Sequence, residues 1–218
     1  MRPQLLQEII SELQGLNASS PSLIQQTAID KIFEIFVWSC TLKALRTIGA
    51  TLQTRDANDR PTASLQFRLG PGMIFAPTTT PGFVHIVYEG NQYELQNGLR
   101  VLGSSKVLHE LDICILQRAA AVRCRQNNIH PEPSSVCFLA ECKYYGGGLP
   151  LHLGREYLGL SSEFTLRVKT LVANTAKNDV QTLVKRHRGT THFEILPSDQ
   201  TKIDRFVGWL ATELEHVL

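Results

Sequence analysis

The sequence predicts an α/β protein in which helices flank a mixed β-sheet. Apolar residues recur at helical spacing near both ends of the chain. The middle contains a hairpin-like stretch and two compact β-type runs, residues 108–116 and 136–143. After Lys143, helical and strand-like segments alternate, which is typical of parallel strands. An antiparallel part followed by a parallel part indicates a mixed sheet.

Length and composition are those of a single globular domain. The chain has 218 residues, of which 43% are hydrophobic and 19% charged, with a net charge of +2. No apolar run approaches the roughly 18 residues of a membrane-spanning helix. Glu8 and Glu12 interrupt the first apolar stretch, which argues against a secretory leader. The five cysteines form no CxxC pair, so we expect reduced thiols and a cytoplasmic protein. Because no apolar run is long enough to span a bilayer, we expect no membrane partner.

The N-terminal third is predicted to be helical. Residues 4–16 have the pattern of a short amphipathic helix, which we interpret as part of an appendage covering residues 1–25. After the break at residues 17–21, a longer and densely apolar helix is expected over residues 27–48, closed by Gly49. This helix opens the main domain, residues 26–218.

A turn-rich insertion is predicted at about residues 50–82. It is rich in proline and glycine and has one candidate strand near residues 64–69. The following residues, 83–96, resemble a β-hairpin with its turn at Gly90-Asn91.

The remaining elements follow from local pattern. A polar, proline-containing connection is expected between the runs at 108–116 and 136–143. Beyond the glycines at 146–148 the sequence predicts a helix at 151–164, a strand at 169–173, a helix at 179–187, a strand at 192–196 and a closing helix from Ser198.

Four charged residues stand where strands should be apolar. Glu110 and Asp112 interrupt the first β-type run, while Glu141 and Lys143 end the second. Because strand side chains alternate, each pair shares a face, and pairing of the two strands would bring three carboxylates and an ammonium group together. Clustered carboxylates favour a hard cation such as Mg²⁺ or Mn²⁺, and a neighbouring lysine suits a phosphoryl oxygen or a water. The pattern favours metal-assisted hydrolysis of a phosphodiester. The alternative is two edge strands whose charges form an ordinary salt bridge in solvent.

The order of these elements carries a resemblance to a known family. HELDICIL followed by FLAECKYY, between a preceding and a following helix, resembles the PD-(D/E)xK nuclease superfamily and its prokaryotic restriction-type branch. The resemblance covers about residues 27–196 and implies a restriction-endonuclease-like core. Leu111 stands where the motif name has proline, a position that varies in the superfamily.

The resemblance implies roles for individual residues. Asp112 and Glu141 would bind Mg²⁺ or Mn²⁺, the carbonyl of Cys142 would be a third ligand, and Lys143 would position or activate the attacking water. Many members add a glutamate from the first core helix, and Glu34 has that place. Alternatively, Glu34 is a surface carboxylate beside Lys31.

A basic stretch supplies candidate contacts to nucleic acid. Residues 164–190 hold six lysines and arginines against one acidic residue, Asp179. Such a stretch faces a polyanion or is simply a solvated helix face. The candidate nucleic-acid-binding residues are Arg155, Arg167, Lys169, Lys185, Arg186 and Arg188.

We therefore expect a Mg²⁺-dependent nuclease that cleaves DNA, in restriction or defence against foreign DNA, as a homodimer or part of a larger complex. The residues do not distinguish DNA from RNA. The alternatives are a catalytically silent nucleic-acid-binding or assembly module of the same fold, and an α/β protein with a chance motif. There is no P-loop and no cysteine–histidine spacing of a zinc site, so neither nucleotide hydrolysis nor structural zinc is expected.

Overall fold

The computed structural model describes residues 1–20, 28–75 and 81–218. Within them, six α-helices flank a seven-stranded mixed sheet. The helices are α1 (Arg2–Gln14), α2 (Ile29–Thr47), α3 (Arg118–Asn127), α4 (Leu151–Ser162), α5 (Asn178–Arg186) and α6 (Gln200–Glu215). The strands are β1 (Thr51–Arg55), β2 (Phe83–Tyr88), β3 (Asn91–Leu102), β4 (Leu108–Gln117), β5 (Val136–Lys143), β6 (Val168–Ala173) and β7 (Thr190–Phe193). The predicted α/β class and mixed sheet are confirmed.

The seven strands lie side by side in chain order. β1 to β5 form an antiparallel meander, whereas β5, β6 and β7 run parallel and are joined through α4 and α5. β5 is therefore the strand at which antiparallel pairing changes to parallel pairing. Its carboxyl end lies beside that of β6, because Lys143 is in register with Ala173.

Helices cover both faces of the sheet. On one face, α2 and α6 share a core cluster with the sheet, and α1 adds Leu5, Ile9 and Leu13 to the same cluster. On the other face, α3 packs against β3 and β4, while α4 and α5 cover β6. α2 is buried over most of its length, as expected for a helix that is apolar nearly all round. The predicted boundary of the N-terminal appendage at residue 25 and the predicted first residue of α2, Thr27, lie outside the described residues.

Two local features differ from the sequence expectation. The connection between β4 and β5 contains α3, whose run RAAAVRCRQN is rich in good helix formers and buries Ala121 and Cys124. The hairpin turn lies one residue earlier than predicted, because Glu89 and Gly90 both adopt positive φ, at 47° and 82°. Two successive residues of this kind match the twist of the flanking strands.

The remaining boundaries agree within a few residues. β7 occupies Thr190–Phe193, somewhat before the predicted 192–196. The last helix is capped by Asp199 rather than Ser198, since the backbone N–H of Lys202 donates to Asp199 Oδ1 at 3.1 Å. Within the described residues no helix is long and apolar enough to cross a lipid bilayer.

The turn-rich insertion contains β1 but no strand at residues 64–69. There the chain docks irregularly on β3: the backbone N–H of Arg68 donates to Asn97 Oδ1 at 3.2 Å, and Asn97 Nδ2 donates to the carbonyl of Arg68 at 2.9 Å. Further along, the N–H of Gly72 donates to the carbonyl of Gly98. The predicted strand is wrong because the backbone of this segment bonds to separate partners rather than to one neighbouring strand: Leu65 N–H to the carbonyl of Ser19, the Gln66 carbonyl to the N–H of Gly82, and Arg68 to the Asn97 side chain.

β3 changes direction at Gly98, which has a φ of 54°. On either side, Asn97 is in register with Ile113 and Leu99 with Leu111. Ile113 packs into the cluster on the α2 face, whereas Leu111 packs into the cluster on the α3 face. The two strands thus exchange faces at this point, and Asp112 is the residue of β4 that lies there.

We predict that Gly98→Ala destabilises the protein more than Gly90→Ala. Both glycines have positive φ, which costs an alanine about 1–2 kcal/mol. At Gly98 a Cβ would also lie 3.2 Å from Arg68 Cβ and 3.3 Å from the carbonyl oxygen of Gly70, whereas at Gly90 the space is open. We expect the free energy of unfolding, measured in urea, to fall by about 2–4 kcal/mol in Gly98→Ala and by about 1–2 kcal/mol in Gly90→Ala. Equal losses would show that the break in β3 tolerates a side chain.

Candidate active site

Asp112 and Glu141 lie one residue beyond the last paired residues of β4 and β5. The register of β4 and β5 places Ile113 against Ala140, so the next positions toward the open end are Asp112 and Glu141. Asp112 is only 7% exposed, and its Oδ2 accepts the backbone N–H of Cys142 at 2.8 Å. This hydrogen bond fixes the carboxylate of Asp112, on β4, to the backbone of β5.

Lys143 is ion-paired with Glu141. Its Nζ lies 2.6 Å from Glu141 Oε1, and both side chains are largely buried. Burial lowers the pKa of Lys143, but the charges of Glu141 and Asp112 outweigh burial and leave that pKa raised. Lys143 is therefore an ammonium group at neutral pH, suited to holding a water or a phosphate oxygen rather than to accepting a proton.

Glu34 reaches the same cluster from α2. It is buried, and its negative charge acts on Asp112. Both oxygens of Glu34 accept from Lys31 Nζ at 2.9 Å, and the same ammonium lies 3.6 Å from Glu110 Oε1. Of the two interpretations of Glu34, the solvent-exposed carboxylate is wrong, although its pairing with Lys31 is present.

The electrostatics of the cluster are those of crowded acids. Burial raises the pKa of Asp112 well above its ordinary value, and the charges of Glu141 and Glu34 raise it further. Burial likewise raises the pKa of Glu141, against the opposing effect of Lys143, and raises that of Glu34 to about 7. Negative charge on these carboxyls is costly, and a bound cation would offset that cost.

The donor set fits a hard divalent cation in chemistry. Within the described residues, no three His, Cys, Asp or Glu side chains are grouped closely enough to hold a metal ion. The set implied by the resemblance needs only two side chains, Asp112 and Glu141, with the main-chain carbonyl of Cys142. These three groups are oxygen donors on adjoining positions of paired strands, as Mg²⁺ and Mn²⁺ prefer.

The loops at this edge of the sheet are tied together by Asn174. Its backbone N–H donates to the carbonyl of Lys143, its Oδ1 accepts the N–H of Tyr145 at 2.7 Å, and its Nδ2 donates to the carbonyl of Tyr145 at 3.0 Å. Tyr144 packs its ring against Phe33, with 5.7 Å between centroids. The chain leaving Lys143 is thereby fixed before the exposed glycines 146–148.

The predicted nucleic-acid-binding residues are divided between surface and interior. Lys169 is half-buried, and its Nζ donates to the carbonyls of Ser161 and Phe164 at 2.6 and 2.8 Å, so it holds the end of α4. Arg167 is exposed and lies 3.6 Å from Glu213. The exposed remainder is Arg155 on α4, Lys185 and Arg186 on the last turn of α5, and Arg188 just beyond it.

Sequence reasoning did not assign Lys31, Asn174 or Lys177 to the site. Lys31 and Glu34 stand at the i,i+3 spacing of a helix pair, which was a usable signal. Lys177 is exposed, and its Cδ lies 3.9 Å from the position that a Cβ would take on Gly148. Asn174 had no local signal, because its role depends on the parallel pairing of β5 with β6.

Comparison with known protein families, with curated proteins and with solved structures found no match to this chain.

We predict that Asp112→Asn stabilises the metal-free protein. Asparagine keeps an acceptor for the N–H of Cys142 but removes a buried charge that faces Glu141 and Glu34. Because folding raises the pKa of Asp112, the folded protein binds this proton more tightly than the unfolded chain. The stability penalty therefore grows as pH rises above the ordinary carboxyl value of about 3.9.

Urea unfolding in EDTA measures this effect. Asp112→Asn should leave the free energy of unfolding nearly unchanged at pH 4 and raise it by about 1–2 kcal/mol at pH 8. The matched control is Asp199→Asn, at a helix N-cap where both residues serve equally well, and it should show no such pH-dependent gain. If Asp112→Asn lowered the free energy of unfolding at pH 8, the interpretation of Asp112 as a destabilising buried charge would be contradicted.

Proposed function

We propose that the protein is a Mg²⁺-dependent nuclease that hydrolyses phosphodiester bonds of DNA. The observation that carries the proposal is that Asp112 and Glu141 meet at one end of the β4–β5 pair, with Asp112 bonded to the N–H of Cys142 at 2.8 Å and the Lys143 ammonium 2.6 Å from Glu141. Buried like charges cost stability, so their retention at one sheet edge favours a functional role.

The proposed division of labour follows from the chemistry of each group. Asp112, Glu141 and the carbonyl of Cys142 would hold Mg²⁺, or Mn²⁺ in its place. The bound ion lowers the pKa of a coordinated water and stabilises charge on the phosphoryl oxygens. Lys143 is placed to orient the attacking water and to stabilise negative charge that develops on the phosphate.

The surroundings of the cluster support a polyanionic substrate. α4 and α5 follow β5 and β6 directly, so their amino ends lie at the same edge as Glu141 and Lys143. Lys177 stands beside Gly148 there, and Arg155 lies one turn into α4. Lys185, Arg186 and Arg188 are at the far end of α5, about 13 Å away along a nine-residue helix. A strand of nucleic acid that runs along α5 would meet charges at both ends.

The biological role is inferred from the resemblance to the nuclease superfamily. Restriction or defence against foreign DNA in the cytoplasm is the setting that the resemblance suggests. Cutting both strands at once requires two active sites, which a homodimer or a larger complex would supply.

We predict metal-dependent cleavage that is lost in site variants. Wild-type protein with Mg²⁺ or Mn²⁺ should nick or linearise supercoiled plasmid, and EDTA should abolish the reaction. Asp112→Asn, Glu141→Gln and Lys143→Ala should each lower the rate by at least about 100-fold, because each removes charge stabilisation at the reacting phosphate. Gel electrophoresis of plasmid and of a single-stranded control measures the products.

The control is Lys106→Ala, which removes an exposed lysine paired with Glu132 outside the site and should cleave as wild type does. Cleavage that survives in Lys143→Ala and Asp112→Asn would refute the assignment of the site. Salt-sensitive binding of plasmid without cleavage would favour the silent binding module.

We predict that Lys185, Arg186 and Arg188 contribute phosphate contacts. Each contact to duplex DNA adds about 0.9 to the slope of log affinity against log salt concentration. Replacing all three by alanine should lower the slope by up to about 3 and weaken binding of unrelated sequences alike. Fluorescence anisotropy over a salt series measures both quantities.

A second triple variant, with Lys106, Lys202 and Arg205 replaced by alanine, loses the same net charge at other surfaces. Its slope should stay near that of the wild type. Equal slopes for the two triple variants would show that the end of α5 is only a solvated helix surface.

A further inference from the structure

Lys31 places a positive charge inside the carboxylate cluster. It lies in the first turn of α2, and its Nζ donates to both oxygens of Glu34 at 2.9 Å. The same Nζ is 3.6 Å from Glu110 Oε1 on β4, so one ammonium group joins two elements of the fold. The side chains of Lys31, Glu34 and Glu110 are 20%, 8% and 27% exposed.

Lys31 and Lys143 divide the cluster into two halves. Lys143 is paired with Glu141 on β5, whereas Lys31 is paired with Glu34 and Glu110. Asp112 interacts electrostatically with both halves. The charges of Glu141 and Glu34 raise its pKa. Its own charge acts on Lys31 and on Lys143. The Glu34–Glu110 half therefore already contains a cation.

Lys31 occupies the carboxylates that a second ion would need. Its Nζ donates to both oxygens of Glu34 and lies 3.6 Å from Glu110 Oε1. Without Lys31, Glu34 and Glu110 would lose this cation, and their oxygens would be free to act as ligands of a hard cation.

We propose that Lys31 is a built-in cation that restricts this site to one divalent metal ion, held on the Asp112–Glu141 half. The inference rests on the metal site of the proposed function and adds to it the stoichiometry and the residue that sets it. Lys31 is a positioning residue: it holds Glu34 and Glu110 away from the metal rather than contacting the substrate.

The same helix offers a matched control. Lys43 Nζ also lies near two carboxylates, at 3.0 Å from Glu8 and 3.7 Å from Glu12, but on the side where α2 packs against α1. Lys31→Met and Lys43→Met thus remove the same group from the same helix and from similar ion pairs. They differ in whether those ion pairs belong to the carboxylate cluster.

The test is titration of the full-length protein with MnCl₂, with free Mn²⁺ counted by electron paramagnetic resonance and heats measured by calorimetry. Wild type, Lys43→Met and the charge-preserving Lys31→Arg should bind one ion with equal affinity. Lys31→Met should bind two ions. Lys31→Gln, which retains a hydrogen-bond donor for Glu34, should behave as Lys31→Met does and serves if that variant does not fold.

Each outcome separates the inference from the proposed function. Two ions in the wild type, or a single ion in both Lys31→Met and Lys31→Gln, would overturn the role of Lys31 and leave the metal site standing. Absence of Mn²⁺ binding in the wild type would overturn the metal site and the inference together. Binding that persists in Asp112→Asn would place the ion elsewhere and would also overturn both.

Discussion

The antiparallel pairing of β4 with β5 is the constraint on which the candidate site depends. It brings Asp112 and Glu141 to the same end of the strand pair, where the N–H of Cys142 on β5 donates to Asp112 Oδ2 on β4 at 2.8 Å. The parallel pairing of β5 with β6 then brings Asn174 to the loop that leaves Lys143. A one-residue shift in the first pairing would turn every β5 side chain to the opposite face. The buried apolar positions of both strands prevent such a shift, so the core also fixes the chemistry.

The cluster is maintained at a cost in stability that its neighbours partly offset. Three carboxyls have pKa values raised by burial, and two lysines supply the nearest compensating charges. Each lysine lies on the same element as the carboxylate it pairs with: Lys143 is on the strand that carries Glu141, and Lys31 is one helical turn from Glu34. Each cation thus accompanies its own carboxylate in the sequence, and only folding brings the two pairs together around Asp112. Assembly of the tertiary structure, rather than any single element, creates the crowding.

Much of the fold and part of the site were predictable from the sequence. β4 and β5 were placed correctly because both are short apolar runs, within which Asp112, Glu141 and Lys143 stand out as charged residues. Glu34 was singled out by the resemblance and by its place between Phe33 and Ile35 in a densely apolar helix. α3 was missed because a short polar helix has little apolar periodicity. Residues 64–69 were assigned to a strand because local propensity does not reveal that the Asn97 side chain satisfies the backbone of Arg68. Asn174 depends on the pairing of distant strands, which no local pattern encodes, whereas Lys31 could have been found from its i,i+3 spacing to Glu34.

The docking of residues 66–72 on β3 has a consequence for self-association. β2 pairs with β3 only as far as Leu95, which leaves the backbone groups of the following residues without a strand on that side. Arg68 and Gly72 occupy this position through their bonds to Asn97, Gly98 and Arg100. An uncovered strand edge is a template on which another chain can add a strand, the route to domain swapping and aggregation. The irregular segment covers this edge of β3 and has no regular strand edge of its own. The same residues that interrupt the sheet therefore also prevent another chain from adding a strand there.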